Sequence, residues 1–247
     1  MTHTARIYTL RPPPLGPALG CDALDGTSEL GVIESCAGAA PLALWREENP
    51  LAVDPPISPE PGSPPLAIWS GWVAQDQDPR RPSIHTWTGR GWDELMGLCD
   101  RLEPVLQARA QSLLFRPSAS HVLSDPRSCL TFFNKRPSRF GLLLDPIAML
   151  TVSMLPDAGD HLDRILDTLL DRPETRAVVV SDASAEGEQI SPAPLGGGVL
   201  APGVLDRMLS RVLESGRPVV LLGDAPSQLG VLERAGAATV EQEPRNP

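Results

Sequence analysis

Short apolar runs in the second half of the chain each end at a polar or charged residue or at a Gly-Asp pair. These strand-end residues are Arg116, Asp145, Ser181 with Asp182, and Gly223 with Asp224. Two or three carboxylates that converge at one edge of a sheet could hold a divalent metal or act as an acid–base pair. Asp145 and Asp182 could instead cap the loops and helices that follow them, and spacing alone slightly favours this capping role.

Two further features could add chemistry to the same edge. The segment PLGGGV contains Gly196, Gly197 and Gly198, and consecutive glycines could free backbone N–H groups to cradle a phosphate. A tight loop between a strand and a helix uses glycines in the same way. His121 lies in the loop that begins at Arg116 and could reach the same rim, whereas the other three histidines lie elsewhere in the sequence (His3, His85, His161).

Several motifs of enzyme and metal sites are absent from the sequence. There is no G-x-S-x-G, no P-loop and no G-x-G-x-x-G after an expected strand, and the histidines do not show H-x-x-x-H spacing. The four cysteines form no C-x-x-C pair, which argues against zinc-ribbon and thioredoxin sites and predicts reduced or buried thiols. Lys135 is the only lysine, so Schiff-base chemistry has a single candidate residue.

The elements that would position these residues become regular after Trp92. Apolar runs predict buried strands, and helical periodicity between them predicts amphipathic helices. The predicted strands are Ser112–Phe115, Phe140–Leu144, Ala177–Val180 and Pro218–Leu222. Alternating strands and helices predict a parallel sheet covered by helices, either a (β/α)8 barrel or an open doubly wound sheet. The length of 247 residues suits the barrel.

The first half of the chain is less regular. A proline-rich stretch at about residues 46–66 predicts a long loop or an insertion. Short apolar runs near it are candidate strands, at Leu30–Ile33, Leu66–Val73 and Ile84–Trp87. We therefore expect a single domain over residues 1–247 that is irregular or incomplete in its N-terminal half.

Charge and hydropathy narrow the classes of partner. The chain has 31 acidic and 21 basic residues, a formal net charge of −10 and an isoelectric point near 4.9. Such a surface repels nucleic-acid backbones and anionic lipid, so we expect no nucleic-acid partner and no membrane. No apolar run suggests a signal peptide or a membrane span, which makes the cytoplasm the expected compartment.

The stretch from Leu113 to Leu150 resembles the sugar phosphate isomerase/epimerase group, which are xylose isomerase-like TIM barrels. The segment runs LLFRPSASHVLSDPRSCLTFFNKRPSRFGLLLDPIAML, and the family shows a strand ending in Glu-Pro, a loop, a helix and a strand ending in Asp-Pro-Gly-His. The later segments AVVVSDAS and PLGGGVLAPGVLDRMLSRVLESGRPVVLLGD are similar to the family's next strands and helix. The resemblance implies a xylose isomerase-like (β/α)8 TIM barrel.

In that family, strand-end glutamates, an aspartate and histidines hold a divalent metal that polarises the sugar. This sequence departs from that pattern at most of the matching positions. Arg116 stands where the first glutamate would be, Ala148 and Val179 or Val180 replace histidines, and Leu222 takes the place of the last glutamate unless Asp224 substitutes for it. Asp145 and Asp182 match family aspartates. The comparison predicts no bound cofactor, with Mn²⁺ or Mg²⁺ only if the site is rearranged.

The sequence therefore supports a divergent barrel, a pseudoenzyme with a residual sugar-binding, anion-binding or structural role. The alternatives are an active isomerase or epimerase with a rearranged site, and an open-sheet regulatory domain. The candidate catalytic residues are Asp145, Asp182 and His121, and the candidate ligand-binding residues are Arg116, Gly196, Gly197, Gly198 and Asp224, for a small sugar or a phosphorylated ligand. We further expect Arg116 and Asp145 to form a hydrogen-bonded ion pair across the barrel mouth.

Overall fold

A computed structural model describes residues 6–11, 31–53, 55, 62–76, 78, 81–136, 139–187, 189–223 and 225–235. Its strands are β1 (Ile7–Arg11), β2 (Gly31–Ser35), β3 (Ala43–Arg46), β4 (Leu66–Trp69), β5 (Leu113–Arg116), β6 (Phe140–Leu144), β7 (Thr175–Val180), β8 (Asp182–Glu186), β9 (Gln189–Ala193) and β10 (Val219–Leu222). Its α-helices are α1 (Gly89–Ala108), α2 (Pro126–Lys135), α3 (Ala158–Leu169), α4 (Pro202–Glu214) and α5 (Ala225–Arg234).

Eight of the strands close into a barrel in the order β1-β10-β7-β6-β5-β4-β3-β2. Parallel pairing of β1 with β10 closes the ring. β2 runs antiparallel to both of its neighbours, β1 and β3, and the other seven strands are parallel. The predicted barrel with an irregular first half is confirmed, and the open-sheet alternative is wrong.

The helices cover the second half of the ring. They follow β4, β5, β6, the β8–β9 hairpin and β10, as a barrel of alternating strands and helices requires. The sequence explains where some of them begin and end. The side chain of Asp125 accepts a hydrogen bond from the Ser128 N–H at 2.8 Å and caps α2. Pro202 begins α4, and Gly216, with φ of 68°, lies just beyond its end.

The strand expected at Ile84–Trp87 is wrong, because this segment forms a 3-10 helix that leads into α1. The apolar residue types suggested a buried strand, but the side chain of Ile84 is 71% exposed and that of Trp87 is 48% exposed. Thr86 is the buried residue of this turn. Its hydroxyl accepts from the Val73 N–H at 3.1 Å and donates to the Val73 carbonyl at 3.2 Å, which fixes the turn against the chain beyond β4.

The proline-rich stretch connects two neighbouring parallel strands, because β3 ends at Arg46 and β4 begins at Leu66. Asn49 ties the described part of this connection to the segment after β4. Its side chain accepts from the Trp72 N–H at 3.1 Å and donates to the Trp72 carbonyl at 2.7 Å. Residues 54 and 56–61 of the stretch lie outside the described residues. The single-domain assignment for residues 1–247 stays a prediction.

The core has two apolar layers. One fills the inside of the barrel, and the other lies between the outside of the barrel and the helices. Alternate strand residues fill the interior: Tyr8, Leu10, Ile33, Ala43, Trp45, Ala67, Leu114, Leu143, Ala177, Val179 and Val220. Arg116, Asp145 and Ser181 each lie two residues beyond one of these interior positions. Because side chains alternate along a strand, these three side chains point into the barrel at its carboxyl-terminal mouth.

Candidate functional site

Polar and aromatic residues at the carboxyl end of the barrel form one group, which is buried except for two half-buried tryptophans and which we call the mouth cluster. Its members are Trp45, Trp69, Trp72, Arg116, His121 and Asp145. Two of them end the neighbouring parallel strands β5 and β6, and the aromatic residues come from β3, β4 and the segment after β4. The carboxyl end of a parallel barrel is where its loops can build a site.

Arg116 and Asp145 form the predicted ion pair, which is confirmed. The Arg116 Nε donates to Asp145 Oδ2 at 2.8 Å and Nη2 donates to the same oxygen at 2.5 Å. Arg116 is 4% exposed and Asp145 is fully buried. Both nitrogens donate to this one oxygen, and the other carboxylate oxygen, Oδ1, accepts from the Ala148 N–H at 3.0 Å. Both carboxylate oxygens are thus engaged within the chain.

Two tryptophans pack against the Arg116 guanidinium. Its Cζ lies 4.2 Å from the ring centroid of Trp69 and 5.0 Å from that of Trp45. Trp69 pairs with Arg116 in the register of β4 and β5, and the two indoles meet edge to face at 5.4 Å. A desolvated guanidinium over indole faces gains about 1–2 kcal/mol. The cation is therefore balanced by one carboxylate and two aromatic faces of its own chain.

His121 reaches the mouth, as the sequence predicted that it could. Its ring stacks on Trp72 at 5.1 Å and meets the edge of Trp69 at 4.9 Å. Burial and, to a smaller extent, the nearby Arg116 cation together lower the pKa of His121 to about 3. The imidazole is therefore neutral at physiological pH.

Three buried polar atoms at or near the mouth have no hydrogen-bond partner among the described residues. They are Trp45 Nε1, His121 Nδ1 and Ser181 Oγ. Buried polar groups are nearly always paired, because leaving one unpaired costs about 1–3 kcal/mol. Trp45 Nε1 can only donate a hydrogen bond, whereas the Ser181 hydroxyl can both donate and accept.

Asp182 does not join the mouth cluster. Its Oδ1 accepts from the Ala183 N–H at 2.7 Å and the Leu200 N–H at 3.1 Å, and its Oδ2 accepts from the Gly198 N–H at 3.0 Å. Ser181 points into the barrel, so the next residue along the extended chain points away from the interior. The geometry is that of a carboxylate that fixes the chain after the β8–β9 hairpin to the end of β7.

The glycines of the 194–199 segment serve this same attachment. The Gly197 N–H donates to the Pro194 carbonyl at 3.0 Å, and the Val199 N–H donates to the Ala183 carbonyl at 2.8 Å. A side chain on Gly198 would place its Cβ 2.4 Å from Asp182 Oδ1, so only glycine fits there. Because the amides of residues 197–200 are used internally, the geometry argues against a phosphate-cradling turn at Gly196, Gly197 and Gly198. Asp224 lies outside the described residues.

Sequence reasoning missed the tryptophans of the mouth cluster. The available signal was composition, because the chain has few aromatic residues and Trp45 and Trp69 lie at or near the ends of short strands, as Arg116 does. Among the described residues, no three His, Cys, Asp or Glu side chains are grouped as a metal site would require. No helix among them is long and apolar enough to cross a membrane.

No known protein-family profile matches the chain, and no curated protein matches it by sequence. Solved structures are similar to it in fold. One is a xylose isomerase-like TIM barrel protein from Mycobacterium smegmatis in complex with magnesium, at 13% identity and a TM-score of 0.48, over 71% of this chain and 63% of that one. Another is mannonate dehydratase from Streptococcus suis, at 10% identity and a TM-score of 0.48, over 75% of this chain and 70% of that one. A third is L-ribulose 3-epimerase, at 13% identity and a TM-score of 0.41, over 70% of this chain and 54% of that one.

These similarities concern the course of the chain alone. A further similar structure is a probable 3-DHS dehydratase from Bacillus anthracis, at 10% identity and a TM-score of 0.43, over 69% of this chain and 61% of that one. The chain spans less than two thirds of the length of this dehydratase and of the Mycobacterium smegmatis protein. The barrel itself is defined by the strand order and pairing of this protein.

Proposed function

We propose that this protein is a divergent sugar phosphate isomerase/epimerase-like barrel that has lost its divalent-metal site and is a pseudoenzyme. The observation that supports this proposal is the buried Arg116–Asp145 pair, which places a guanidinium at a strand end where the family resemblance implies a metal ligand. A fixed positive charge there balances the carboxylate, as the metal would in the family.

The donor set at the mouth does not fit Mn²⁺ or Mg²⁺. Mg²⁺ takes six oxygen ligands, several of which are usually waters, and proteins hold it through one or two carboxylates that are free to bind it; Mn²⁺ prefers similar oxygen ligands. Asp145 is the carboxylate of the mouth cluster, and its oxygens are held by Arg116 and by the Ala148 N–H. A cation there would have to displace the guanidinium and would then face it at close range, a repulsion of several kcal/mol in a buried site.

The role that the pair supports best is structural. An exposed arginine could anchor the phosphate or carboxylate of a ligand, but Arg116 is almost fully buried and is already neutralised by Asp145. An anion would have to compete with a carboxylate that the fold holds in place. We therefore propose that Arg116 stabilises the barrel mouth through its pair with Asp145 and does not bind anions.

A second role, binding of a small neutral sugar, is supported by a separate observation. Trp45 Nε1, His121 Nδ1 and Ser181 Oγ are buried polar atoms without partners among the described residues. Hydroxyl groups can both donate and accept, so a sugar could satisfy such a mixed set.

Titration of the purified protein with Mn²⁺, Mg²⁺ and Zn²⁺ tests the loss of the metal site. We expect no heat of binding and no rise in melting temperature at micromolar metal. Stoichiometric Mn²⁺ binding that is lost in Asp145→Ala would overturn the proposal. Phosphate and a panel of neutral pentoses and hexoses are added in parallel, and we expect phosphate to give no thermal protection. Protection by phosphate that is abolished in Arg116→Leu would overturn the structural role of Arg116.

A further inference from the structure

We propose that the 3-10 helix Ile84–Trp87 binds the apolar group of a small neutral ligand whose hydroxyl-bearing part lies at the mouth cluster. We call this segment the rim turn. The class of ligand that fits both parts is an aryl glycoside, which is a sugar joined to an aromatic ring. This inference rests on the neutral-sugar role proposed above, and it adds the part of the ligand that lies outside the mouth.

The rim turn presents two apolar side chains on one side. Ile84 and Trp87 are exposed, whereas Thr86 is buried. Residues three apart are eclipsed in a 3-10 helix, so the Ile84 and Trp87 side chains lie on the same side of the turn. They therefore offer adjoining apolar surface to a ligand.

The rim turn is firmly held although these side chains are exposed. The Thr86 hydroxyl makes two hydrogen bonds to the backbone of Val73, and Trp87 Nε1 donates to the Ala119 carbonyl at 3.1 Å. Gly91 lets α1 begin against the turn, because a Cβ there would collide with the Thr86 carbonyl. Glycine inside a helix is less stable than alanine. The chain thus retains a destabilising residue to fix a turn that exposes apolar groups, and a ring fixed in this way loses little conformational entropy on binding.

Both attachments of the rim turn lead to the mouth cluster. Val73 directly follows Trp72, and Ala119 lies two residues before His121. The rings of Trp72 and His121 stack on each other at 5.1 Å, and His121 Nδ1 is one of the buried atoms without a partner among the described residues. The rim turn therefore borders this side of the mouth cluster. A ligand whose polar end reaches His121 has its other end beside the rim turn.

The size of the rim turn indicates that its occupant is a small molecule. A stable protein interface buries about 1,200–2,000 Å² in total, far more than two apolar side chains supply. They match a single ring instead. Because an indole gains from an offset or edge-to-face contact with another aromatic ring, Trp87 favours an aryl group over an alkyl group.

The charges near the rim turn indicate that the occupant is neutral. Arg81 Nε lies 3.5 Å from an oxygen of Asp78, and Arg90 Nε lies 3.9 Å from an oxygen of Glu94. Each of these arginines is thus matched by an acid of its own chain. The surroundings therefore favour neither an anionic nor a cationic ligand.

Isothermal titration of the full chain with matched glycosides tests this inference. The probes are the pentoses and hexoses of the panel above, each as its methyl glycoside and as its phenyl glycoside. For a sugar that binds, we expect the phenyl glycoside to have a dissociation constant at least about tenfold below that of the methyl glycoside. Ile84→Ser and Trp87→Ala should each bring the ratio of the two dissociation constants close to one.

Val199→Ser is the matched control, because it also removes an exposed apolar side chain. Val199 follows β7 and its hairpin, and β5 and β6 separate β7 from β4 in the ring, so this variant should keep the full ratio. A ratio that both rim-turn variants leave intact, or that Val199→Ser lowers equally, would overturn the placement of the aromatic ring at the rim turn.

The remaining outcomes separate this inference from the sugar role on which it rests. Equal dissociation constants for methyl and phenyl glycosides would overturn the inference and leave the sugar role standing. No binding of any glycoside at millimolar concentration would overturn both. Sedimentation velocity of the wild type and Ile84→Ser tests for another occupant, since a dimer that Ile84→Ser weakens would assign the rim turn to a second copy and overturn the inference.

Discussion

The Arg116 side chain is the residue on which the proposed function depends, and its burial predicts a large effect on stability. Arg116→Leu leaves the Asp145 carboxylate buried without its counter-ion, so we expect a loss of about 3 kcal/mol in the free energy of unfolding. Adding Asp145→Asn removes the stranded charge and retains an oxygen that can accept from the Ala148 N–H. The double variant should therefore be more stable than Arg116→Leu alone, as measured by urea unfolding.

An exposed ion pair provides the control for this comparison. Arg207 lies 3.3 Å from Asp163 with half of its side chain exposed. Arg207→Leu should change the free energy of unfolding by less than about 1 kcal/mol, because exposed pairs contribute little. A loss in Arg116→Leu no greater than this would contradict the structural role of the buried pair.

His121 gives the mouth a predictable response to pH. Its pKa in the folded protein is about 3, mainly because of burial, against an ordinary value of 6.5. Between these values the unfolded chain binds a proton that the folded chain does not. The free energy of unfolding should thus fall as the pH falls below about 6.5, by up to about 1.4 kcal/mol per pH unit. Above that pH His121 is neutral in both states and contributes no pH dependence.

His121→Phe isolates this contribution, because a phenyl ring can still stack on Trp72. Urea unfolding at pH 7, 6 and 5 should show a smaller loss of stability in the variant than in the wild type. NMR gives a direct reading of the same group. The His121 ring proton should not titrate above pH 4, and a midpoint near 6.5 would show that the imidazole is not buried as described.

At the scale of elements, Asp182 and Gly198 act as one unit that attaches the chain after the β8–β9 hairpin to β7. Gly198→Ala would force its Cβ against Asp182, and Asp182→Ala would leave three backbone N–H groups without their acceptor. We expect each variant to lose at least about 2 kcal/mol in the free energy of unfolding. Gly203→Ala is the matched control, since a Cβ at Gly203 meets nothing within 4 Å. Equal effects of the two glycine substitutions on the melting temperature would contradict this attachment.

The sequence was informative where burial alone determines an element. The apolar runs predicted β5, β6, β7 and β10 to within two residues at each end, and the ends of the neighbouring strands β5 and β6 placed Arg116 near Asp145. Neighbouring parallel strands bring their carboxyl ends together whatever the details of packing. That is why the ion pair could be predicted from one sequence.

The sequence was less informative about features that depend on tertiary packing, such as the direction of a strand and the exposure of a side chain. Nothing in the apolar pattern of β2 specifies that it runs antiparallel, and exposed Ile84 looks like a strand residue when only its type is known. Asp182 follows a strand as Asp145 does, but it lies one position out of phase with the inward-facing residues. A shift of one residue moves a strand side chain to the other face, and the position of a strand end alone does not say which face the next residues occupy.

At the scale of the whole molecule, closure of the barrel predicts that both halves of the chain unfold together. β1 hydrogen-bonds to β10 near the far end of the chain, and β4 pairs with β5, so the irregular first half completes its sheet only with strands from the second half. All five tryptophans lie between Trp45 and Trp92, whereas the α-helices of the described residues lie between Gly89 and Arg234. Tryptophan fluorescence therefore reports mainly on the first half, and far-UV circular dichroism reports mainly on the second.

Fluorescence and circular dichroism should give the same urea midpoint and the same dependence of the free energy of unfolding on urea concentration. A single cooperative domain requires this agreement. Thr9→Pro removes a donor from β1, which has a strand on each side, and should lower both midpoints equally. Ser184→Pro makes the same change in the two-stranded β8–β9 hairpin outside the ring and should lower them less. If fluorescence and circular dichroism instead separate into two transitions, the first half is stable without β5 and β10, and residues 1–247 are not one domain.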